Sequence, residues 1–334
     1  MMAYVTAVPS LERLGLRYSR WLKVSGKSTL SYALRRDSSL RMAQSLLDHL
    51  NRGVAPKRGE LVALDSMPLT LPATRQHHCK RINRQSVGGA ILWAFRLQAP
   101  RGVNPVTILN VIRGPWHDTQ TIRDAPLTPH GPIYLMDRGF WSIPWITHWL
   151  GANIHFIVRV NKQDFKYTRL KRCGRARGAS HGVHIQYDGV AQLGGPHRKP
   201  KPTVRLVVAR LSDGKDLILA SDRMGWSAEK ILAAYKRRWE IERFHRLLKE
   251  TMGLAHLYSF HENGIFFLAH VAFLLAALLY IGASTVRGAT IDVLKMALES
   301  CRRSLGLATR WKRNTSTRPK SKKGKRKGKK AKNH

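Results

Sequence analysis

From residue 60 to residue 160 the chain repeats one pattern: a short unbroken apolar run, then a segment rich in turn formers. Glu60–Asp65 carries Leu61, Val62, Ala63 and Leu64 and closes on Asp65, and Ile133–Met136 closes on Asp137. Gly89–Gln98, Val106–Ile112 and Ile154–Val160 are of the same kind, the first two joined through Pro100-Arg101-Gly102. Runs this short, bounded by Gly, Pro and Asp, predict strands. Because they are continuous rather than alternating, the strands are expected to be buried on both faces. A helical stretch, Ser142–Leu150, falls between two of them. The predicted class is therefore α/β, a sheet covered by helices.

The flanking regions follow other periods. Across Thr29–Leu50, Leu30, Leu34, Leu40, Ala43, Leu46 and Leu47 recur at three- and four-residue steps with Arg35, Arg36 and Arg41 between them, which predicts a helical region over residues 1–55. Residues 161–222 mix basic, Gly- and Pro-rich segments (Lys171–Gly182, Gly194–Pro202) with short strand-like runs, clearest at Val204–Ala209 and Leu217–Ala220. They read as a basic, β-rich insertion between a first part of the core (56–160) and a second (223–309). Ser227–Lys249 predicts one helix: Ser227 can cap it, Glu229 sits in the first turn where the helix dipole favours an acid, and Gly253 lies just past its end. Gly264–Ala283 is almost wholly apolar and about the length that crosses a bilayer. His270 inside it and the charged helix before it favour a helix buried in a large core instead. Residues 310–334 are rich in Lys, Gly and Ser, the composition of a disordered polybasic tail.

Charge changes the picture. The chain has 59 Lys and Arg against 20 Asp and Glu, a net +39. The 25 residues from Arg310 hold 13 of those cations and no acid, and without them 46 cations still face the 20 acids, a net +26. The body as well as the tail therefore calls for an anionic partner, and nucleic acid is the first candidate. The helical N-terminal region suits a small DNA-binding unit and a packing appendage equally. A membrane-associated basic protein is the third reading of the same charge, resting on Gly264–Ala283 and the tail. Three cysteines, Cys79, Cys173 and Cys301, stand far apart and give no disulfide framework, as expected of a reducing compartment. Met1–Ser10 lacks a basic-then-apolar leader pattern. Gly26-Lys27-Ser28-Thr29 resembles the end of a phosphate-binding loop, but Trp21 stands where that loop needs glycine, which excludes an ATP site of this type.

Three carboxylates are placed for chemistry. Asp65 and Asp137 close strands, and open α/β sheets form sites at the carboxyl ends of strands. Glu242 lies on the long helix. Carboxylates from separate elements can hold two magnesium ions about 3.5–4 Å apart, the arrangement that phosphoryl transfer uses. On the same helix, Tyr235, Arg238, Glu242 and Lys249 fall within roughly 60° of one another at about 100° per residue. One face thus carries a phenol, a guanidinium, a carboxylate and an ammonium around Trp239-Glu240-Ile241, which reads as buried. Such a face fits cations that grip phosphate and an acid that completes a metal site. Taken singly, each acid is also an ordinary turn former or surface charge.

Tyr235-x2-Arg238-x3-Glu242-x6-Lys249 resembles the helix signature of DDE transposases of the insertion-sequence-four family. Leu64-Asp65-Ser66 resembles the family's first-aspartate strand, and Asp137-Arg138-Gly139-Phe140 its second-aspartate motif. The order of the acids and the β-rich insertion before the glutamate match too, over roughly residues 55–285. The resemblance implies a ribonuclease-H-like core and a metal-dependent cutting and rejoining of DNA at transposon ends. It implies Asp65, Asp137 and Glu242 as catalytic metal ligands for two Mg2+ ions (Mn2+ substituting), and Tyr235, Arg238 and Lys249 as DNA contacts. It also implies a homodimer on paired ends, in the bacterial cytoplasm at the nucleoid, without a membrane. The N-terminal region is compact for that family, and the polybasic tail is not part of its motif set.

Other features compete for the site. His117-Asp118 follows the strand Val106–Ile112, where a helix cap is the simpler role. His77-His78-Cys79 lacks partners at zinc-ligand spacing. Trp141 and Trp226 suit core packing better than stacking on an unpaired base. Two rival readings share the scaffold: a ribonuclease-H-like nuclease that only hydrolyses, and a DNA-binding protein without catalysis.

Overall fold

The computed structural model describes residues 32–51, 56–70, 80–82, 85–97, 106–113, 118–160, 166–174, 183–195, 201–246, 248 and 261–285. Ten strands form one mixed sheet: β1 Leu61–Thr70, β2 Lys80–Ile82, β3 Gln85–Leu97, β4 Val106–Arg113, β5 Ile133–Met136, β6 His155–Arg159, β7 Tyr167–Arg172, β8 Val183–Leu193, β9 Thr203–Leu211 and β10 Asp216–Ser221. Their order is β2-β3-β1-β5-β6-β10-β9-β8-β7, with β4 also paired to β3. The pairs β1–β5 and β5–β6 are parallel, and every other pair is antiparallel. The helices are α1 Asp37–Asn51, α2 Asp118–Thr121, α3 Ile143–Gly151, α4 Ala228–Lys236, α5 Trp239–Arg246 and α6 Glu262–Thr285. The mixed α/β class read from the apolar runs is the class observed.

Two apolar layers sandwich the sheet, as continuous runs require. Ile133 and Leu135 of β5 face a core shared with α1, α4, α5 and α6, whereas Tyr134 and Met136 face one shared with α3. α6 lies in the first core with Ile265, Phe266, Ala269, Ala272, Phe273 and Ala276 buried. Among the described residues no helix is long and apolar enough to cross a membrane. His270 sits inside this helix with its Nδ1 2.7 Å from the Phe266 carbonyl oxygen. Burial lowers its pKa, against the opposing pull of that carbonyl and of Asp48.

At the N-terminal side, residues 32–35 are helical, Arg36 interrupts, and α1 follows. Leu40 and Leu47 of α1 enter the core beside α6, and the Asn263 amide donates to the Arg35 carbonyl at 3.1 Å. The described part of this region thus packs on the core, and residues 1–31 lie outside the described set.

The strands within 161–222 extend the core sheet from β6 through β10. Two expectations change. Asp65 does not end its strand, because β3 continues to pair with β1 as far as Thr70; only the parallel pairing to β5 stops, at Ala63. Ser227–Lys249, in turn, is not one continuous α-helix. Ser227 does cap α4 by accepting from the Lys230 N–H at 3.3 Å, but α4 ends at Lys236 and α5 begins at Trp239. Between them the N–H groups of Arg237, Arg238, Glu240 and Ile241 bond three residues back, at 3.2, 2.9, 2.9 and 3.0 Å. This is a 3₁₀-type tightening, in which residues three apart eclipse. The Arg237 Nε–Glu240 Oε1 pair, at 3.0 Å, clasps the tight turn.

Candidate active site

Strand register gathers the site. Ala63 of β1 pairs with Leu135 of β5, and Leu135 with Ile157 of β6. Two residues beyond these positions stand Asp65 on β1, Asp137 just past the end of β5 and Arg159 on β6, at corresponding places in three neighbouring segments. Side chains two apart share a sheet face. Ala63, Leu135 and Ile157 all belong to the core covered by α4, α5 and α6, so the Asp-Asp-Arg row opens toward those helices. Arg159 was not singled out from sequence, because its role depends on register between strands rather than on any local motif.

Each carboxylate is held by this chain. Asp137 Oδ1 accepts from the Gly139 N–H at 2.7 Å and caps the 3₁₀ turn Arg138–Phe140. Asp65 Oδ1 accepts from the Ser66 N–H at 3.0 Å, and Asp65 Oδ2 lies 3.5 Å from His245 Nδ1 on α5. Residues three apart on a helix are surface neighbours, so Glu242 lies on the face of α5 that meets Asp65. His245 also escaped the sequence reading; its spacing of three from Glu242 was the available signal. Glu242 Oε1 stands 3.2 Å from the Arg238 guanidinium.

Arg238 lies at the centre of the charge. Its side chain is 13% exposed against 42% for Glu242. Burial opposes its charge, but Tyr235, Asp137, Asp65 and Glu242 outweigh that and raise its pKa. The three acids, from β1, the end of β5 and α5, thus all act on one guanidinium. Tyr235 is eclipsed with Arg238 across the tightened turn, with the guanidinium carbon 5.9 Å from the ring centre. Burial pushes the Tyr235 phenol up to about 12; Asp137 adds to this, while Arg238 and Arg159 oppose it. Its hydroxyl is buried without a hydrogen bond of normal geometry.

Trp239 corrects the sequence reading. It was grouped with Glu240 and Ile241 as buried, yet only Ile241 is, at 0% exposure, while Trp239 is 66% exposed. The tightened turn rotates it outward beside Arg238. Trp141 lies in the α3-side core, and Trp226 packs against the other core with the Lys230 ammonium 4.2 Å from its ring centre. Among the described tryptophans the exposed one is Trp239, three residues before Glu242. Lys249, His77-His78-Cys79, His117 and residues 310–334 lie outside the described residues; Asp118 opens α2.

The donor set suits a hard divalent cation in type, being carboxylate oxygen, and in register, with two aspartates on adjacent strands. Among the described residues, however, no three His, Cys, Asp or Glu side chains are gathered into a metal cage. The carboxylates are turned instead onto backbone N–H groups, His245 and Arg238.

Comparison with known proteins adds a family. Residues 57–279 match the family described as Transposase DDE domain. A protein described as a transposase for insertion sequence element IS5377, from Geobacillus stearothermophilus, is 27% identical over 157 residues, 46% of this chain and 41% of the relative. The protein y4zB of Sinorhizobium fredii, also described as a transposase, is 29% identical over 168 residues, 49% of this chain and 46% of the relative. The matched stretch spans less than half the length of either.

Proposed function

We propose, for a chain that belongs to the transposase DDE domain family, that it cuts DNA at the ends of a mobile element and joins the freed 3′-hydroxyl to a second phosphodiester. The observation that carries this reading is the placement of three acids from separate elements: Asp65 and Asp137 follow paired positions of β1 and β5, and Glu242 stands on α5 one turn before His245, whose Nδ1 lies 3.5 Å from Asp65. A pure DNA-binding surface has no use for three acids at the centre of a basic chain. The parallel strands β1, β5 and β6 with α5 laid across them support a ribonuclease-H-like core. The spacing Tyr235-x2-Arg238-x3-Glu242-x6-Lys249 supports the insertion-sequence-four branch.

Asp65, Asp137 and Glu242 would hold two Mg2+ ions, for which Mn2+ can substitute. Bound there, the metal supplies Lewis-acid activation of the attacking oxygen and stabilisation of the leaving one. The protein's own groups do the rest. The His245 ring and the Ser66 N–H fix the Asp65 carboxylate, and the Gly139 N–H fixes Asp137. Arg238, whose guanidinium stands 3.2 Å from Glu242 Oε1, would grip the phosphate beside the cut, with Arg159 and Lys249 as further cations. Tyr235, neutral at physiological pH, stacks with Arg238 and limits its swing. Hydrolysis of one strand frees a 3′-hydroxyl, which then attacks either the opposite strand or target DNA. Two copies of the chain working on paired ends, in the bacterial cytoplasm, complete the reading.

The test is cleavage of labelled DNA carrying the element's own ends, with Mg2+ and with EDTA, beside Glu242→Gln. Metal-dependent nicking that the variant loses while keeping DNA affinity is the expected result. Undiminished nicking by Glu242→Gln would sink the assignment. Cleavage without joining would move the chain to the hydrolytic nucleases, and tight, salt-sensitive binding without cleavage to the DNA-binding proteins.

A further inference from the structure

We infer that β7, the outer edge of the extended sheet, is a second DNA-backbone contact that holds the duplex about seven base pairs from the site of cutting. The inference rests on the DNA-processing reading above and assigns a surface that the reading does not use.

Residues 166–174 carry Lys166, Arg169, Lys171 and Arg172 and no acid. β7 is exposed along almost its whole length, and Leu170 beside the cations is 54% exposed. Four other arginines on or beside the sheet are neutralised: Arg96 by Glu60, Arg205 by Asp188, Arg210 by Asp216 and Arg223 by Asp222. Among the described residues Arg169, Lys171 and Arg172 pair with no carboxylate. Asp188, the nearest acid by register, is already held by Arg205 through bonds of 2.8 and 2.9 Å. Lysines often blunt an edge strand against self-association, but this edge also shows preorganisation. The Arg169 guanidinium carbon lies 4.6 Å from the Tyr187 ring centre and 5.9 Å from that of Tyr167. A guanidinium stacked on rings presents its N–H groups in a fixed plane, the geometry that suits phosphate oxygens.

Register sets the distance. The level of Asp137 and Arg159 runs through Leu219 of β10, Val207 of β9 and Asp188 of β8. It reaches the end of β7 at Cys173, whose N–H bonds the Asp188 carbonyl. Five strand steps of about 4.8 Å make roughly 24 Å, or about seven base pairs at about 3.4 Å each. β7 therefore ends level with the carboxylates, with Arg172 beside that level and Arg169 three register positions away on the α3 side of the edge, and a duplex leaving the site along the sheet would meet these cations at the rim. A second copy of the chain is a poor occupant, because two such edges would bring like charges together.

The test uses the full chain and a labelled duplex carrying the element's end with flanking DNA, titrated between about 50 and 200 mM salt. Three variants are compared with the parent: Arg169→Ala/Lys171→Ala/Arg172→Ala; the charge-retaining Arg169→Lys/Arg172→Lys; and Lys57→Ala/Arg58→Ala/Arg123→Ala, an equal loss of exposed charge elsewhere. Each lost phosphate contact removes about 0.9 from the slope of log affinity against log salt. The first variant should lose about 2 to 3 from that slope, while the second and third stay near the parent. Equal slopes for the first and third variants would overturn the inference and leave the cleavage reading standing. Loss of self-association in the first variant with an unchanged slope would assign the edge to a second copy and overturn it too. A parent chain that binds no duplex overturns both readings together.

Discussion

The Asp188–Arg205 pair offers a quantitative test of how the extended sheet holds the turn leading into α4. Both residues are 6% exposed, and they are joined by two parallel hydrogen bonds. A third guanidinium N–H donates to the Met224 carbonyl at 3.1 Å, at the turn leading into α4. Removing one partner strands a buried charge, at a cost of about 3–5 kcal/mol. For Asp188→Leu the stranded guanidinium cannot deprotonate, so the full cost persists at every pH. For Arg205→Met the stranded carboxyl escapes by taking up a proton. For an ordinary aspartate that uptake costs about 4 kcal/mol at pH 7 but only about 1.5 kcal/mol at pH 5. The two single variants should therefore be alike at pH 7 and diverge at pH 5. The double variant, apolar for polar at similar volume, should lie within about 1–2 kcal/mol of the parent. Urea denaturation at the two pH values measures all three, with melting points about 6–20 °C lower for the single variants. Single variants within about 1 kcal/mol of the parent, or a double variant as unstable as the sum of its parts, would refute the argument.

The remaining predictions concern buried titratable groups. Tyr235, pushed up to about 12 by burial, stays protonated in the folded chain after it would ionise unfolded. Its contribution is present below about pH 10 and lost as pH rises toward about 12, about 3 kcal/mol in all. Tyr235→Phe should show a shallower alkaline loss of stability, and parallel curves would refute the burial. His270 has its pKa lowered by burial, so its contribution is present above about pH 6.5 and lost as pH falls further. His270→Leu should resist acid better than the parent in circular-dichroism melts, and equal acid sensitivity would count against a desolvated imidazole. Arg238→Gln should leave the fold intact and reduce cleavage about 100-fold or more, the scale of a lost electrostatic stabiliser; a cleavage rate near the parent's would remove Arg238 from the site.

The strands of the parallel core were legible because burial on both faces writes continuous apolar runs, as in Ile133–Met136. Asp137 was legible because it directly follows such a run. β7 was not, since Tyr167–Arg172 buries almost nothing and so carries no alternation; its pairing with β8, not its own sequence, makes it a strand. The interruption at Arg237–Arg238 has no glycine or proline to announce it. An apolar Trp239 next to Ile241 reads as core until the tightened turn shows which way it faces. Arg159 and His245 escaped because their meaning lies in neighbours far away in sequence: Tyr235 is 76 residues from Arg159, and Asp65 is 180 residues from His245.

The sheet that runs unbroken from β1 to β7 also limits how such a chain can be remodelled. A module tethered by a linker can be cut away and leave its host whole. Here, excising residues 161–222 would strip β6 of β10 and turn an interior strand into a raw, hydrophobic margin one step from Asp137, inviting aggregation. Lengthening is cheap by comparison, since the connections from β7 to β8 and from β8 to β9 end far from that margin. Descendants of this chain can therefore acquire new loops at the outer rim, and an engineer can graft a reporter there, but neither can dispense with the rim itself.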